Sequence, residues 1–241
     1  MDIHKPKPVH NFREFLSELG VVVLGIVIAL SGEQLIEHLR ERKLAAETRE
    51  NIREEIAYNL ARLSNRTAVQ SCIDRRLEEI VQLIDSGTQP GYIAPTWIGR
   101  PQIWEMVHAK WQAASQAGRA PLLEADEQAQ FGFIYAILAD IAADQDHEQI
   151  AWVRLRALEG LGHPSNGLLD SLRLELQDAR YANSDIKGLS KLLGQRAEKL
   201  DIAQEAHDFT PSKGICFPTN TSRSDALSRL SADAGEPVTE P

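Results

Sequence analysis

Between Leu19 and Gly32 the chain carries no charged side chain, and the run reads Leu-Gly-Val-Val-Val-Leu-Gly-Ile-Val-Ile-Ala-Leu-Ser-Gly. No second run of comparable apolar strength follows in residues 33–241. The uncharged core is short against the roughly 20 residues that a bilayer-crossing helix needs. Phe12, Phe15 and Leu16 extend it upstream and Leu35 and Ile36 downstream, which brings Glu14, Glu18 and Glu33 to its edges. Carboxylates at headgroup depth stay hydrated, whereas a charge at the bilayer centre costs at least ~2.5 kcal/mol. The sequence therefore predicts a short tail over 1–11 and a transmembrane anchor over 12–34.

Two other readings use the same residues. A cleaved signal peptide would take Lys5 and Lys7 as its positive end and Ala29-Leu30-Ser31 as its cleavage site, although Glu14 and Glu18 stand where such peptides avoid acid. A core helix of a soluble protein normally keeps a polar stripe, and Val21 to Ile28 has none. Orientation rests on flanking bases: Lys5, Lys7 and Arg13 on one side nearly balance Arg40, Arg42, Lys43 and Arg49 on the other. The short leading segment makes a cytoplasmic N-terminus the simpler topology, in a bacterial inner membrane with the main domain periplasmic. Gly25, Ala29 and Gly32 form a small-residue face that permits close helix approach. The expected partners are accordingly the lipid bilayer and either a second copy or another membrane protein; the alternative is that Gly and Ala are simply common in membrane helices.

The formal net charge is −9, yet residues 1–43 hold six basic and six acidic side chains, so the acidic excess lies wholly beyond them. No basic stripe with interleaved aromatics occurs, which argues against nucleic acid. Cys72 and Cys216 are the two cysteines. In an oxidising compartment they can form one long-range disulfide; in a reducing one they would be inert thiols.

No Pro or Gly falls between Glu33 and Ser86, and Ile52, Ile56, Leu63, Ile73, Leu77, Ile80 and Ile84 recur at helical spacing. This predicts one stalk-like helix leaving the anchor. Gly and Pro punctuate residues 85–101, a short helix is expected from Pro101 to Gln116, and a long one from Glu124 to Glu159. Ser165 or Asn166 can cap another that reaches about His207. Residues 218–241, rich in Ser, Thr, Asp, Gly and Pro, predict a disordered tail. The predicted fold is all-α: one N-terminal transmembrane helix continuing into a long-helix antiparallel bundle over 35–217.

Chemistry is sparse. Glu105/His108 and Asp144/His147 have the acid-x-x-His spacing of di-iron bundles, but such sites also need a further Glu from each of two other helices, a complete set is not visible, and the second pair sits in a polar run that reads as solvated. Trp97, Trp104 and Trp111 fall seven apart, which predicts core packing more than a ligand groove. Phosphate loops, nucleophile elbows and His-Glu-x-x-His are absent. No catalytic group, cofactor or metal site is expected.

His4-Lys5-Pro6-Lys7-Pro8, Arg13-Glu14-Phe15-Leu16, the apolar run from Gly20 to Ala29 and Glu33-Gln34 resemble the start of a family of bacterial single-pass membrane proteins without an assigned activity. Looser matches follow at Cys72 with Arg75-Arg76-Leu77, at Trp111 with Gly118, and from Ile134-Tyr135 to Cys216. The resemblance implies an anchored, exported helical domain and supplies no catalytic residue. The functional expectation is a non-enzymatic scaffold or accessory protein of the cell envelope. The alternatives are a ligand-sensing bundle with its pocket between Tyr92 and Trp111, or an enzyme with an unrecognised site.

Overall fold

A computed structural model describes residues 12–204 and 209–233, except the side chain of Glu14. Six α-helices and three short 3-10 turns make up the regular structure, and no strand occurs among the described residues. The helices are α1 (Phe12–Ala68), α2 (Gln70–Ser86), α3 (Ala109–Gln116), α4 (Ala125–Leu155), α5 (Asn166–Glu198) and α6 (Arg223–Asp233). The all-α reading therefore holds, with one N-terminal helix long and apolar enough to cross a membrane. None of that apolar window is buried within the chain, which excludes it as a core helix of this domain.

Burial along α1 starts at Ala45 and Thr48 and continues through Ile52, Glu55, Ile56, Asn59 and Leu63. One helix thus serves as bare apolar rod and as core element in turn. The predicted uninterrupted helix to Ile84 breaks at Val69, whose φ of −107° and ψ of 9° separate α1 from α2. Ser64, Asn65 and Thr67 explain the bend, because each side chain bonds back to a carbonyl of the preceding turn (Ala61, Ala61 and Leu63).

Two apolar layers stack along the bundle. The layer nearer the apolar segment joins Ile52, Ile56 and Leu63 of α1 to the first half of α4 (Phe131, Ile134, Leu138, Ile141) and the second half of α5 (Ile186, Leu193). The distal layer joins Ile73, Leu77 and Ile80 of α2 to Trp152 and Leu155 late in α4 and to Leu169, Leu172 and Leu176 early in α5. This order makes α4 parallel to α1–α2 and α5 antiparallel to both. Ser165 Oγ accepts from Leu168 N–H at 3.3 Å to cap α5.

The helix predicted to begin at Pro101 begins instead at Ala109. Two buried amides hold the preceding segment extended. Asn59 exchanges hydrogen bonds with Val107 N–H and C=O (2.8 and 2.7 Å), and Gln145 does the same with Trp104 (2.8 and 3.0 Å). Each amide satisfies a backbone pair that would otherwise need a helix or a sheet. α3 then starts over the Glu55 carboxylate, which accepts from Lys110 N–H at 2.8 Å and Trp111 N–H at 3.3 Å.

At the same end of the bundle, α5 stops at Glu198 rather than near His207, which lies outside the described residues. Asp201 takes a left-handed conformation (φ 52°), and Ile202 N–H returns to Ala197 C=O at 2.9 Å. The disordered tail expected from 218 is also corrected over its first part. Thr219 C=O accepts from Thr96 N–H at 2.8 Å and Trp97 N–H at 3.0 Å, and Ser222 Oγ caps α6 through Asp225 N–H. Ala226 is buried, so α6 packs one residue of its first turn against the rest of the chain, while Ser222, Ser224 and Asp225 stay exposed. Residues 234–241 lie outside the described residues.

Candidate functional site: a cavity between α1 and α5

Beyond Leu60, small side chains on facing helices leave space that larger ones would fill. Ser64 on α1 and Ser190 and Gly194 on α5 help line a cavity of about 760 Å³. A Cβ on Gly194 would meet nothing within 4 Å. Leu60, Leu63, Ile186 and Ile202 supply apolar wall, and Asp201, Ala203 and Gln204 also stand on the lining.

Arg66 lines this cavity with its side chain only 3% exposed. Nη2 donates to Glu148 Oε1 at 2.8 Å and to Asn183 Oδ1 at 3.1 Å. Nε and Nη1 have no hydrogen-bond partner among the described residues. The guanidinium thus holds one carboxylate with one nitrogen and leaves its other donors unmatched, an expensive arrangement for buried polar groups. Asn183 is held in turn by Gln70 Nε2 at 2.9 Å and donates to Asp74 at 3.0 Å. Lys187, 3.6 Å from Asp74, and exposed Lys191 stand on the lining, with Glu198 and Asp201 also contributing to it.

The structure disposes of the sequence candidates as follows. Gly25, Ala29 and Gly32 lie on exposed α1, and a Cβ on either glycine would meet no other part of the chain. Cys72 on α2 and Cys216 in the 3-10 turn Gly214–Cys216 are at disulfide distance, 2.10 Å between sulfurs and 4.9 Å between Cα atoms. Glu105, His108 and His147 are exposed, and no group of three or more His, Cys, Asp or Glu could hold a metal among the described residues. Trp97 and Trp104 are buried, and Trp111 stacks on Tyr135 with ring centres 5.3 Å apart. A smaller cavity of about 310 Å³ does adjoin Trp97, bounded by Arg100, Arg156 and Leu230.

Sequence reasoning passed over Arg66 and Glu148, but a signal existed. Arg66 follows Leu63 by three residues on the core stripe of α1, and Glu148 follows Ile141 by seven on that of α4. A charge in phase with buried apolar positions marks a buried charge. What fold and site define together is a class: a bare apolar helix continuous with an all-α bundle that carries a charged cavity. No protein-family model, curated protein or solved structure matches the chain to narrow that class further.

Proposed function

We propose that this protein is a membrane-anchored scaffold or accessory subunit of the bacterial envelope, spanning the inner membrane once with its bundle in the periplasm. The observation that carries this reading is the continuity of α1, which runs through 57 residues from the apolar rod into the bundle core. Because no loop intervenes, whatever docks on the rod shares a fixed orientation with the bundle. The disulfide-distance cysteines fit an oxidising compartment, and the His-Lys-Pro-Lys-Pro start fits the anchored family that it resembles.

The docking face is also readable. Val22, Gly25, Ala29, Gly32, Ile36 and Leu39 recur at alternating three- and four-residue steps, the spacing of a two-helix seam. At about 100° per residue these positions lie opposite Ala45, Ile52, Ile56 and Leu63, which face the bundle. The seam begins among small residues and ends at Ile36 and Leu39, 70% and 56% exposed, beyond the anchor. A second copy, entering the membrane in the same direction, would cover the whole seam. The test is association of the full chain in mild detergent: Gly25→Leu and Ile36→Glu should each weaken self-association or co-purification. Unchanged association in both variants removes the docking face, and a reporter fused after Pro241 that is active only in the cytoplasm removes the topology.

A further inference from the structure

We propose that the cavity beside Trp97 binds a small monocarboxylate with a compact apolar body. Arg100 and Arg156 would hold the carboxylate, and Trp97, Pro101 and Leu230 would enclose the body. The site is independent of the scaffold reading, since it lies wholly within the bundle.

The cavity, of about 310 Å³, opens between residues 97–103, Arg156 just past α4, and the segment that carries Ser212, Gly214 and Leu230. Its walls are fixed before any guest arrives. Arg76 holds the Trp97 and Ile98 carbonyls, Glu159 accepts from Ile98 N–H at 3.0 Å, and Trp97 Nε1 donates to Gly214 C=O at 2.7 Å. Gly99 takes a φ of +69°, and a Cβ there would stand 2.9 Å from the Gly214 oxygen, so a side chain would push the two segments apart.

This lining offers donors without acceptors. Arg100 is exposed, and its guanidinium has no partner among the described residues, so the whole fork is free. Arg156 is 30% exposed and commits Nε and Nη2 to Glu159, at 3.1 and 3.2 Å, which leaves Nη1. Gln102 Oε1 accepts from Ser212 N–H at 2.8 Å, which fixes the amide's orientation and leaves Nε2 to donate elsewhere. Ser212 adds an unpaired hydroxyl. Each of these groups keeps access to solvent, unlike the unmatched nitrogens of Arg66, which are sealed off. No Asp or Glu among the described residues stands on the lining.

A carboxylate suits this set, because its two oxygens can take a planar fork and further N–H or O–H donors. One negative charge is enough: Glu159 already answers Arg156, so Arg100 is the unanswered cation on the lining. Glu159 would also oppose a second negative charge on the guest. Trp97, Pro101, Ile103 and Leu230 supply apolar wall, the usual division of labour in a small-ligand pocket. The cavity adjoins the distal layer, which starts where α1 ends, about 50 Å from Gln34 at ~1.5 Å rise per residue. A lipid resting in the bilayer cannot reach so far, so the guest arrives from solution.

The experiment uses the full chain in lipid nanodiscs and radiolabelled benzoate in equilibrium dialysis, with empty nanodiscs as blank. Saturable binding at one site is expected, displaced by unlabelled benzoate. Benzyl alcohol keeps the ring and lacks the charge, and inorganic phosphate keeps charge and lacks the ring; each should displace about tenfold less well or worse. Arg100→Gln removes the free fork without breaking a contact and should weaken binding about tenfold or more. Arg119→Gln removes another exposed, unpaired arginine, beside Thr48 and Asn51 of α1, and should bind as the parent does. No saturable binding, equal displacement by benzyl alcohol or phosphate, parental affinity in Arg100→Gln, or an equal loss in Arg119→Gln would each overturn the proposal.

Discussion

Single residues carry much of the specificity of this fold, and Glu55 is the clearest case. Its carboxylate is 4% exposed, sits at the start of α3, and also accepts from Tyr135 Oη at 2.5 Å. Burial, reinforced by Glu55, raises the Tyr135 phenol above its ordinary value and keeps it a donor. Glu55→Ala would strand two backbone N–H groups and a phenol, and a loss of about 3 kcal/mol in urea unfolding is expected. Tyr135→Phe should cost about 1 kcal/mol by the same measurement. At Asp144 the sign runs the other way. Burial first, then neighbouring Asp185, raises its carboxyl, so the folded chain holds that proton more tightly than the unfolded one. Stability from this group is therefore lost as pH climbs through the range above its unfolded value. Asp144→Asn should stabilise the protein at neutral pH and flatten that part of the stability–pH curve; an unchanged curve would remove Asp144 as its source. None of these roles was legible in the sequence as a motif. Glu55 and Arg66 differ from their solvated neighbours only in phase with the apolar stripe, and phase does not say which distant group will answer the charge.

At the scale of elements, apolar periodicity located the long helices, because Ile52, Ile56, Ile134, Leu138, Leu172 and Leu176 bury one face each. It failed where backbone groups are satisfied by side chains remote in sequence. The stretch before Ala109 reads as helical from Pro101, yet Gln145 and Asn59 outbid the helix there by pairing with Trp104 and Val107. Arg76 acts in a similar way at the distal end, donating to the carbonyls of Trp97, Ile98 and Phe217 while its charge is answered by Glu79 at 2.7 Å. Its burial lowers the guanidinium from its ordinary value, an effect that Glu79 opposes. Gln145→Met should leave both backbone groups of Trp104 unpaired and destabilise the chain by about 2–4 kcal/mol. Hydrogen exchange should then show lost protection at Trp104 and Val107 before any loss in α4 or α5. Uniform loss across all three would mean that the extended segment has no independent stability. The helix α6 was missed for a compositional reason: polar residues dominate it, and its buried face amounts to little more than Ala226.

The bundle is two stacked apolar layers, both threaded by α4 and α5 and completed by α1 in one and α2 in the other, so its weak point is whatever lacks a long helix to hold it. That part is the segment from 209 to 233, which crosses the distal layer through Ile215 and carries α6. Three kinds of tie hold it. Arg76 grips Phe217 C=O, Thr219 C=O receives two backbone N–H groups, and Cys216 meets Cys72 across a sequence separation of 144. A loop of that length gives a bond stabilisation of about 5 kcal/mol when loss of unfolded-chain entropy is the sole effect. Cys72→Ser combined with Cys216→Ser should therefore lower unfolding stability by as much as about 5 kcal/mol. The loss should appear first in the distal layer, because the proximal layer of Ile52, Phe131 and Ile186 contains no residue of the tethered segment beyond Phe209. Proteolysis followed by mass spectrometry checks this directly, with cuts between 210 and 222 expected in the double variant and not in the parent. Equal resistance in both, with two free thiols titrating in the parent, would show that the segment is held without the disulfide, by the hydrogen bonds of Arg76, Trp97, Gln102 and Thr219.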